Sequence, residues 1–460
     1  MMQTFNATTR LPFPADDVFD WHASPGAFER LSPPWDPLRL VSRSGIRDGD
    51  RLEMRVRVGP FLRRWVAEHR NYVEGRQFQD VQLQGPFAVW EHTHTISPVD
   101  DVSCELKEAI AYRLPGGFLG RVIAGRSVRT TLDRLFAYRH RVIRDDLRAH
   151  AAYSKGRTMK ILVTGAGGLL GSRLVPFLTA GGHEVVPLKR SKAGAEDAGL
   201  FWDPARGTID REKLEGFDAV VHLAGENIGG RRWSAAQKAK IRDSRVAGTR
   251  LLSETLAGLN APPRVLVCAS AIGLYGDRGD ELLDETSAAG EGFLPDVCND
   301  WEAAADPARE KGVRVVHARF GVILSPEGGA LQKMLFPFKM CAGGVAGNGR
   351  QYWSWVSIDD VVTAILHALS VDSVTGPINV VSPNPVTNRE FTRTLGRVLR
   401  RPALFPLPGF AARLMLGEMA DDLLLGSARV SPKRLQETGY EFRFPELEGA
   451  LRYVLGRVEG

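Results

Sequence analysis

Cysteine is scarce in this 460-residue chain: Cys104, Cys268, Cys298 and Cys341 lie far apart and form no Cys-x-x-Cys pair. Neither a disulfide framework nor a thiolate zinc site follows from them. Long apolar runs are missing too, and none reaches the roughly 20 residues that a bilayer crossing needs. The first residues, Met-Met-Gln-Thr-Phe-Asn, lack the basic flank and apolar stretch of a secretory signal, so the cytoplasm is the expected location, with no membrane partner. Clustered positive charge is likewise absent. The net charge is +6, and the arginines alternate with carboxylates without a nucleic-acid reading motif, which argues against nucleic acid as a partner. A small-molecule substrate is the partner class that remains, and a homo-oligomer is compatible with it.

The chain is too long for one ordinary domain of roughly 100–200 residues, and two domains are expected. In the first, Leu52, Met54, Val56 and Val58 alternate with Arg51, Glu53, Arg55 and Arg57, a period of two with one face inside and one in water. Alternation returns at 78–84, 89–96 and 104–112, separated by turn formers such as Gly85-Pro86. From Arg126 the period becomes helical, through Val128, Leu132, Leu135, Phe136, Val142, Ile143 and Leu147. A sheet closed by a terminal helix is expected over 1–150. His92 and His94 share a strand face with Trp90 and Ile96, as Glu108 does with Leu106 and Ile110, so these polar groups are expected to point inward. Two histidines at that spacing do not dictate a third ligand, and no metal site is assigned. Residues 151–158 carry no apolar period and read as a linker.

From Met159 the pattern changes to strand, glycine turn, helix. Lys160-Ile-Leu-Val-Thr164 is a buried-strand run, Gly165-Ala-Gly-Gly-Leu-Leu-Gly171 the turn, and 172–180 the helix. Apolar strands at 184–188, 219–223, 265–269 and 313–318 alternate with helical segments, which predicts a doubly wound parallel α/β sheet of the Rossmann class over 159–460. Glycines at 165, 168 and 171 let the chain turn tightly and approach a pyrophosphate, which the N–H groups at the helix start then face. Gly165, Gly167, Gly168, Leu169, Leu170 and Gly171 are therefore the expected cofactor cradle. After the second strand, where an NAD site usually carries Asp or Glu, the chain has Lys189, Arg190 and Ser191. Cationic groups suit a 2′-phosphate, so NADP(H) is favoured over NAD.

Read together, these residues resemble the extended short-chain dehydrogenase/reductase superfamily, and within it the sugar-nucleotide-epimerase-like subgroup of unassigned substrate. The phrases that carry the resemblance, beside the glycine turn, are Asp218-Ala-Val-Val-His-Leu-Ala-Gly-Glu226, Arg232-Trp233, Ser270-Ala-Ile-Gly-Leu-Tyr-Gly276, Arg319-Phe-Gly-Val-Ile-Leu-Ser-Pro326 and Ser357-Ile-Asp-Asp360. The tail from Gly376 through Ser382-Pro-Asn-Pro385 to Pro432-Lys-Arg-Leu435 resembles the subgroup's C-terminal region, which implies a substrate lobe over about 376–460. The first 150 residues resemble the helix-grip fold of START-like and polyketide cyclase/dehydrase proteins, implying a cavity for an apolar ligand.

The resemblance implies that Leu223, Ala224 and Gly225 lie beside the cofactor. Ser270 then bonds a substrate oxygen, and Tyr275 serves as proton donor. Arg232 and Trp233 would clamp the substrate. It also exposes a departure, because the family's usual chemistry uses a Tyr-x-x-x-Lys pair. Aligning Glu302 with the glutamate that follows that pair puts Leu294 and Cys298 in its place, and neither does that work. The expected activity is thus hydride transfer by an NADP(H)-dependent oxidoreductase or epimerase-like enzyme. The alternative is a non-catalytic NADP(H)-binding redox sensor.

Overall fold

The computed structural model describes residues 2–36, 38–59, 61–190 and 199–457. The chain divides into two compact units, one of residues 1–152 with 179–182 and 455–460, the other of residues 153–178 with 183–454.

The first unit is a seven-stranded antiparallel sheet. Its order is Gln3–Leu11, Ser103–Arg113, Val89–Asp100, Gln77–Gln84, Phe61–Val73, Arg51–Val58 and Arg39–Arg43. The alternation read from 51–58 is realised: Leu52, Met54 and Val56 are buried while Arg51, Arg55 and Arg57 are exposed. The closing helix runs Gly117–Ala149, starting nine residues before the apolar period becomes regular. It buries Leu132 and Phe136 against Phe5, Trp90, Ile110 and Tyr112 of the sheet. The helix does not stop at the expected linker, because a π-helical turn continues it over His150–Ser154.

The second unit is built on an eight-stranded sheet. Its order is Thr208–Ile209, Leu200–Asp203, Glu184–Lys189, Lys160–Thr164, Ala219–His222, Val265–Ala271, Arg314–Phe320 and Gly376–Val380. All neighbours are parallel except the first pair. The central strands are apolar and buried along most of their length, with Thr164, His222 and Ser270 as polar exceptions at their carboxyl ends, as sheets covered by helices on both faces require. Gly376–Val380, read from sequence as the start of the C-terminal lobe, is instead an edge strand of this sheet, paired with Arg314–Phe320. Beyond it the helix Asn388–Leu399 is started by a capping box in which Thr387 and Glu390 bond each other's backbone N–H.

Candidate cofactor site and helix-grip interior

Strand order reverses at Lys160–Thr164, which lies between Glu184–Lys189 on one side and Ala219–His222 on the other. In open parallel sheets a ligand crevice forms at the carboxyl ends of the strands at such a reversal. The glycine turn sits there. Gly165 has φ +70°, a backbone region open to glycine at no steric cost, and a Cβ on it would lie 2.8 Å from the Leu223 carbonyl carbon. The turn is thereby seated directly on the 223–225 segment. A Cβ on Gly171 would overlap the Gly165 carbonyl oxygen, so this glycine permits the helix Gly171–Ala180 to start tight against the turn. Gly167 differs: a Cβ there meets nothing within 4 Å among the described residues. Gly165 and Gly171 thus answer to the protein's own backbone, while Gly167 borders open space of the kind a diphosphate fills.

The facing wall is fixed by a buried polar chain. Thr164 Oγ1 accepts from the amides of Leu223 (3.1 Å) and Ala224 (3.2 Å), so its proton goes to His222 Nδ1 at 2.7 Å. The other ring nitrogen of His222 donates to Thr249 Oγ1 at 3.0 Å, where Trp301 Nε1 also donates at 2.9 Å. Burial pushes the His222 pKa down to about 4, so the ring is neutral in this chain of bonds. Sequence reasoning named Leu223, Ala224 and Gly225 but not Thr164, His222, Thr249 or Trp301. The signal was a lone histidine ending an otherwise apolar strand.

At the end of the second strand, Lys189 is half-buried and Arg190 exposed, while Ser191 lies outside the described residues. Trp233 is half-buried and tied to its own loop. Its Nε1 donates to the Ile228 carbonyl at 2.8 Å and its ring packs edge-on against Phe293, which orders its own loop. Arg232 is exposed and borders Gly417 of the C-terminal lobe.

Ser270, the last residue but one of the Val265–Ala271 strand, donates from Oγ to Glu302 Oε1 at 2.7 Å. Arg319 grips the same carboxylate through Nε (2.8 Å) and Nη2 (2.9 Å), and its Nη1 donates to Tyr275 Oη at 3.0 Å. Tyr275 has no exposed surface, and its hydroxyl is within bonding distance of Asn379 Oδ1 (2.8 Å) and the Asp284 carbonyl (3.0 Å). Burial raises its pKa further. Tyr275, expected as the proton donor, thus stands in this structure as a buried junction whose hydroxyl is engaged by Arg319, Asn379 and the Asp284 carbonyl. Cys298 is also inert. Its thiol is buried, its pKa is pushed up to about 12 chiefly by burial, and its Sγ lies 3.8 Å from the Ala271 carbonyl. Trp353 and Trp355, two apart in the sequence, are both core residues.

In the first unit the inward direction of His92, His94 and Glu108 is realised, and all three are buried. They join His22, His69 and Asp80 in a polar cluster of imidazoles and carboxylates, in the interior where the resemblance implies a cavity. Burial opposes a charge on His94, but Glu108 and Asp80 outweigh it and raise the pKa to about 9. Burial, and then His94, lowers His22 to about 4.

Three family models match the chain: "NAD dependent epimerase/dehydratase family" over 161–381, "Polyketide cyclase / dehydrase and lipid transport" over 11–136, and a domain of unknown function over 407–454. An epimerase family protein of Mycobacterium leprae is 42% identical over 302 residues, covering 65% of this chain and 97% of the relative. The crystal structure of the nucleoside-diphosphate sugar epimerase from Corynebacterium glutamicum superposes with a TM-score of 0.80 at 33% identity, covering 98% of this chain and 90% of that one. That of human epimerase family protein SDR39U1 (isoform 2) with NADPH has a TM-score of 0.59 at 33% identity, covering 65% of this chain and all of that one. No helix among the described residues is long and apolar enough to cross a membrane. The glycine turn at the strand reversal and these likenesses agree: the chain belongs to the NAD-dependent epimerase/dehydratase family, as an NAD(P)-binding member preceded by a polyketide cyclase-like domain.

Proposed function

We propose that the Rossmann unit is an NADP(H)-dependent oxidoreductase or epimerase-like enzyme acting on a small molecule, and that the helix-grip unit binds a second small ligand. The observation that carries the reading is the turn at the strand reversal, closed on the Leu223–Ala224 side by Gly165 and open at Gly167. Backbone N–H groups there suit the diphosphate, and the start of the helix Gly171–Ala180 adds its dipole. Lys189 and Arg190 supply the charge that a 2′-phosphate requires, and NADPH is named with the human relative. NADP(H), when bound, carries the hydride. Ser270, whose own proton is held by Glu302, presents only acceptor lone pairs, so it orients a substrate hydroxyl rather than polarising a carbonyl.

A second reading, a non-catalytic NADP(H) sensor, is favoured by one observation: Leu294 and Cys298 stand where a proton relay is expected, and Tyr275 is sealed. Calorimetric titration with NADPH and NADH, followed by a screen of NADPH oxidation against carbonyl compounds that include nucleoside-diphosphate sugars, separates the two. Tight NADPH binding with turnover supports the enzyme. Binding without turnover across the panel transfers support to the sensor, and failure to bind either nucleotide removes both.

A further inference from the structure

The interior of the helix-grip unit holds a set of donors that hydrogen bonding within the protein leaves incomplete. Its strands pair His69 with Asp80, Asp80 with His92, and His94 with Glu108, and side chains of directly paired residues share a sheet face. This lines up three imidazoles and two carboxylates on the inner face. A fourth imidazole, His22, comes from the helix Ala15–Ala23. Its Nδ1–H donates to the Val18 carbonyl at 2.6 Å, so its Nε2 carries the lone pair. That Nε2 is buried and has no hydrogen-bond partner among the described residues. A buried acceptor left unmatched is costly and calls for an explanation.

His94 supplies part of it. Its Nε2 lies 3.3 Å from Asp80 Oδ2, and its Nδ1 is 2.8 Å from Glu108 Oε2 in a contact without hydrogen-bond alignment. Glu108 Oε2 also accepts from His92 Nε2 at 2.8 Å. His22, His94 and Glu108 each offer a donor atom within 4.8 Å of the other two. A tetrahedral ion with bonds of about 2.1 Å spaces its ligand atoms by roughly 3.4 Å, so small side-chain rotations bring the three onto one ion.

We propose that the helix-grip unit binds a divalent transition-metal ion of the zinc type through His22 Nε2, His94 Nδ1 and Glu108, with the Val18 carbonyl and Asp80 orienting the two imidazoles from behind. Both supports have the form usual around such sites, in which the second ring nitrogen of a ligating histidine donates to a carbonyl or carboxylate. Two imidazoles and one carboxylate select zinc-like ions over calcium or magnesium, which prefer all-oxygen shells. Three protein ligands leave a fourth position for water or a ligand atom. Ligation needs the lone pair of His94 Nδ1, so a proton on that nitrogen leaves to solvent as the ion enters, and no electrons change hands. Arg139 and His140 of the long helix face the same cluster, and the Arg139 guanidinium offsets the charge of Glu108 first and of Asp80 second.

The test uses the full-length chain, stripped with a chelator and titrated with Zn2+ in two buffers of different ionisation heat. One ion per chain is expected, with proton release, and His22→Ala and Glu108→Ala are each expected to weaken binding by at least about 100-fold. Should either variant fail to fold, the wild-type protein decides alone. Co2+ in place of zinc is expected to show tetrahedral ligand-field absorption, and X-ray absorption at the zinc edge only nitrogen and oxygen scatterers. Absence of saturable Zn2+ binding, a sulfur scatterer, or undiminished affinity in folded His22→Ala overturns the proposal.

Discussion

Arg319 holds Glu302 in a two-toothed grip, Nε to Oε1 at 2.8 Å and Nη2 to Oε2 at 2.9 Å, and spends its remaining edge on Tyr275 Oη at 3.0 Å. Both side chains are largely withdrawn from water. Breaking one side of such a pair leaves an uncompensated charge, which typically costs about 3–5 kcal/mol. Glu302→Ala is therefore expected to lower the melting temperature of the Rossmann unit sharply. A melting curve close to that of the wild type would show that the pair is not a structural anchor.

Tyr275→Phe tests the same junction from its other end. Removing the hydroxyl leaves Arg319 Nη1 without an acceptor and Asn379 Oδ1 without that donor, at a cost of about 1–3 kcal/mol. The expected outcome is a less stable protein whose NADPH affinity, and any turnover, stays within about two-fold of wild type. Lost turnover in a folded variant with normal NADPH affinity would return the phenol to proton transfer.

What could be read from the sequence follows from how local each signal is. The segment 160–180 was legible because a buried strand, a glycine turn and a helix start occur within about twenty residues, and each has its own residue chemistry. The strand Phe61–Val73 was not. Most of its length is exposed or half-buried, so no period of two marks it, and pairing with Arg51–Val58 and Gln77–Gln84 decides its form. Tyr275 misled through proximity: it is near Ser270 in sequence, but its hydroxyl partners come from Arg319 and Asn379, 44 and 104 positions away. His22 was invisible for the same reason. Nothing in its helix announces that folding brings it beside His94 and Glu108.

Arg190→Ala addresses cofactor choice. An exposed guanidinium at the end of the second strand is expected to aid NADPH through its 2′-phosphate and to leave NADH almost untouched. The NADPH dissociation constant should rise by about ten-fold, equivalent to ~1.4 kcal/mol, with that of NADH changed by less than two-fold. Calorimetry with both nucleotides reads this directly, and equal losses would detach Arg190 from the phosphate.

His222 sets a pH dependence whose sign is fixed by its burial. The imidazole titrates near 6.5 when unfolded and is pushed down to about 4 in the folded chain. Folding thus favours the neutral ring. The stabilisation is fully present above about pH 6.5 and is lost as pH falls toward 4, amounting to about 3 kcal/mol across that window. Protonation places a second N–H on the ring, where Nδ1 now accepts from Thr164, so the hydroxyl that holds the Leu223 and Ala224 amides loses its acceptor. Acid is therefore expected to loosen the cofactor wall before the sheet unfolds. Hydrogen exchange at Leu223 and Ala224 should accelerate between pH 6.5 and 4 beyond the intrinsic rate, and NADPH affinity should fall in parallel. His222→Gln, which cannot titrate, should flatten both trends. Acid sensitivity at those two amides that persists unchanged in the variant would place the titrating group elsewhere.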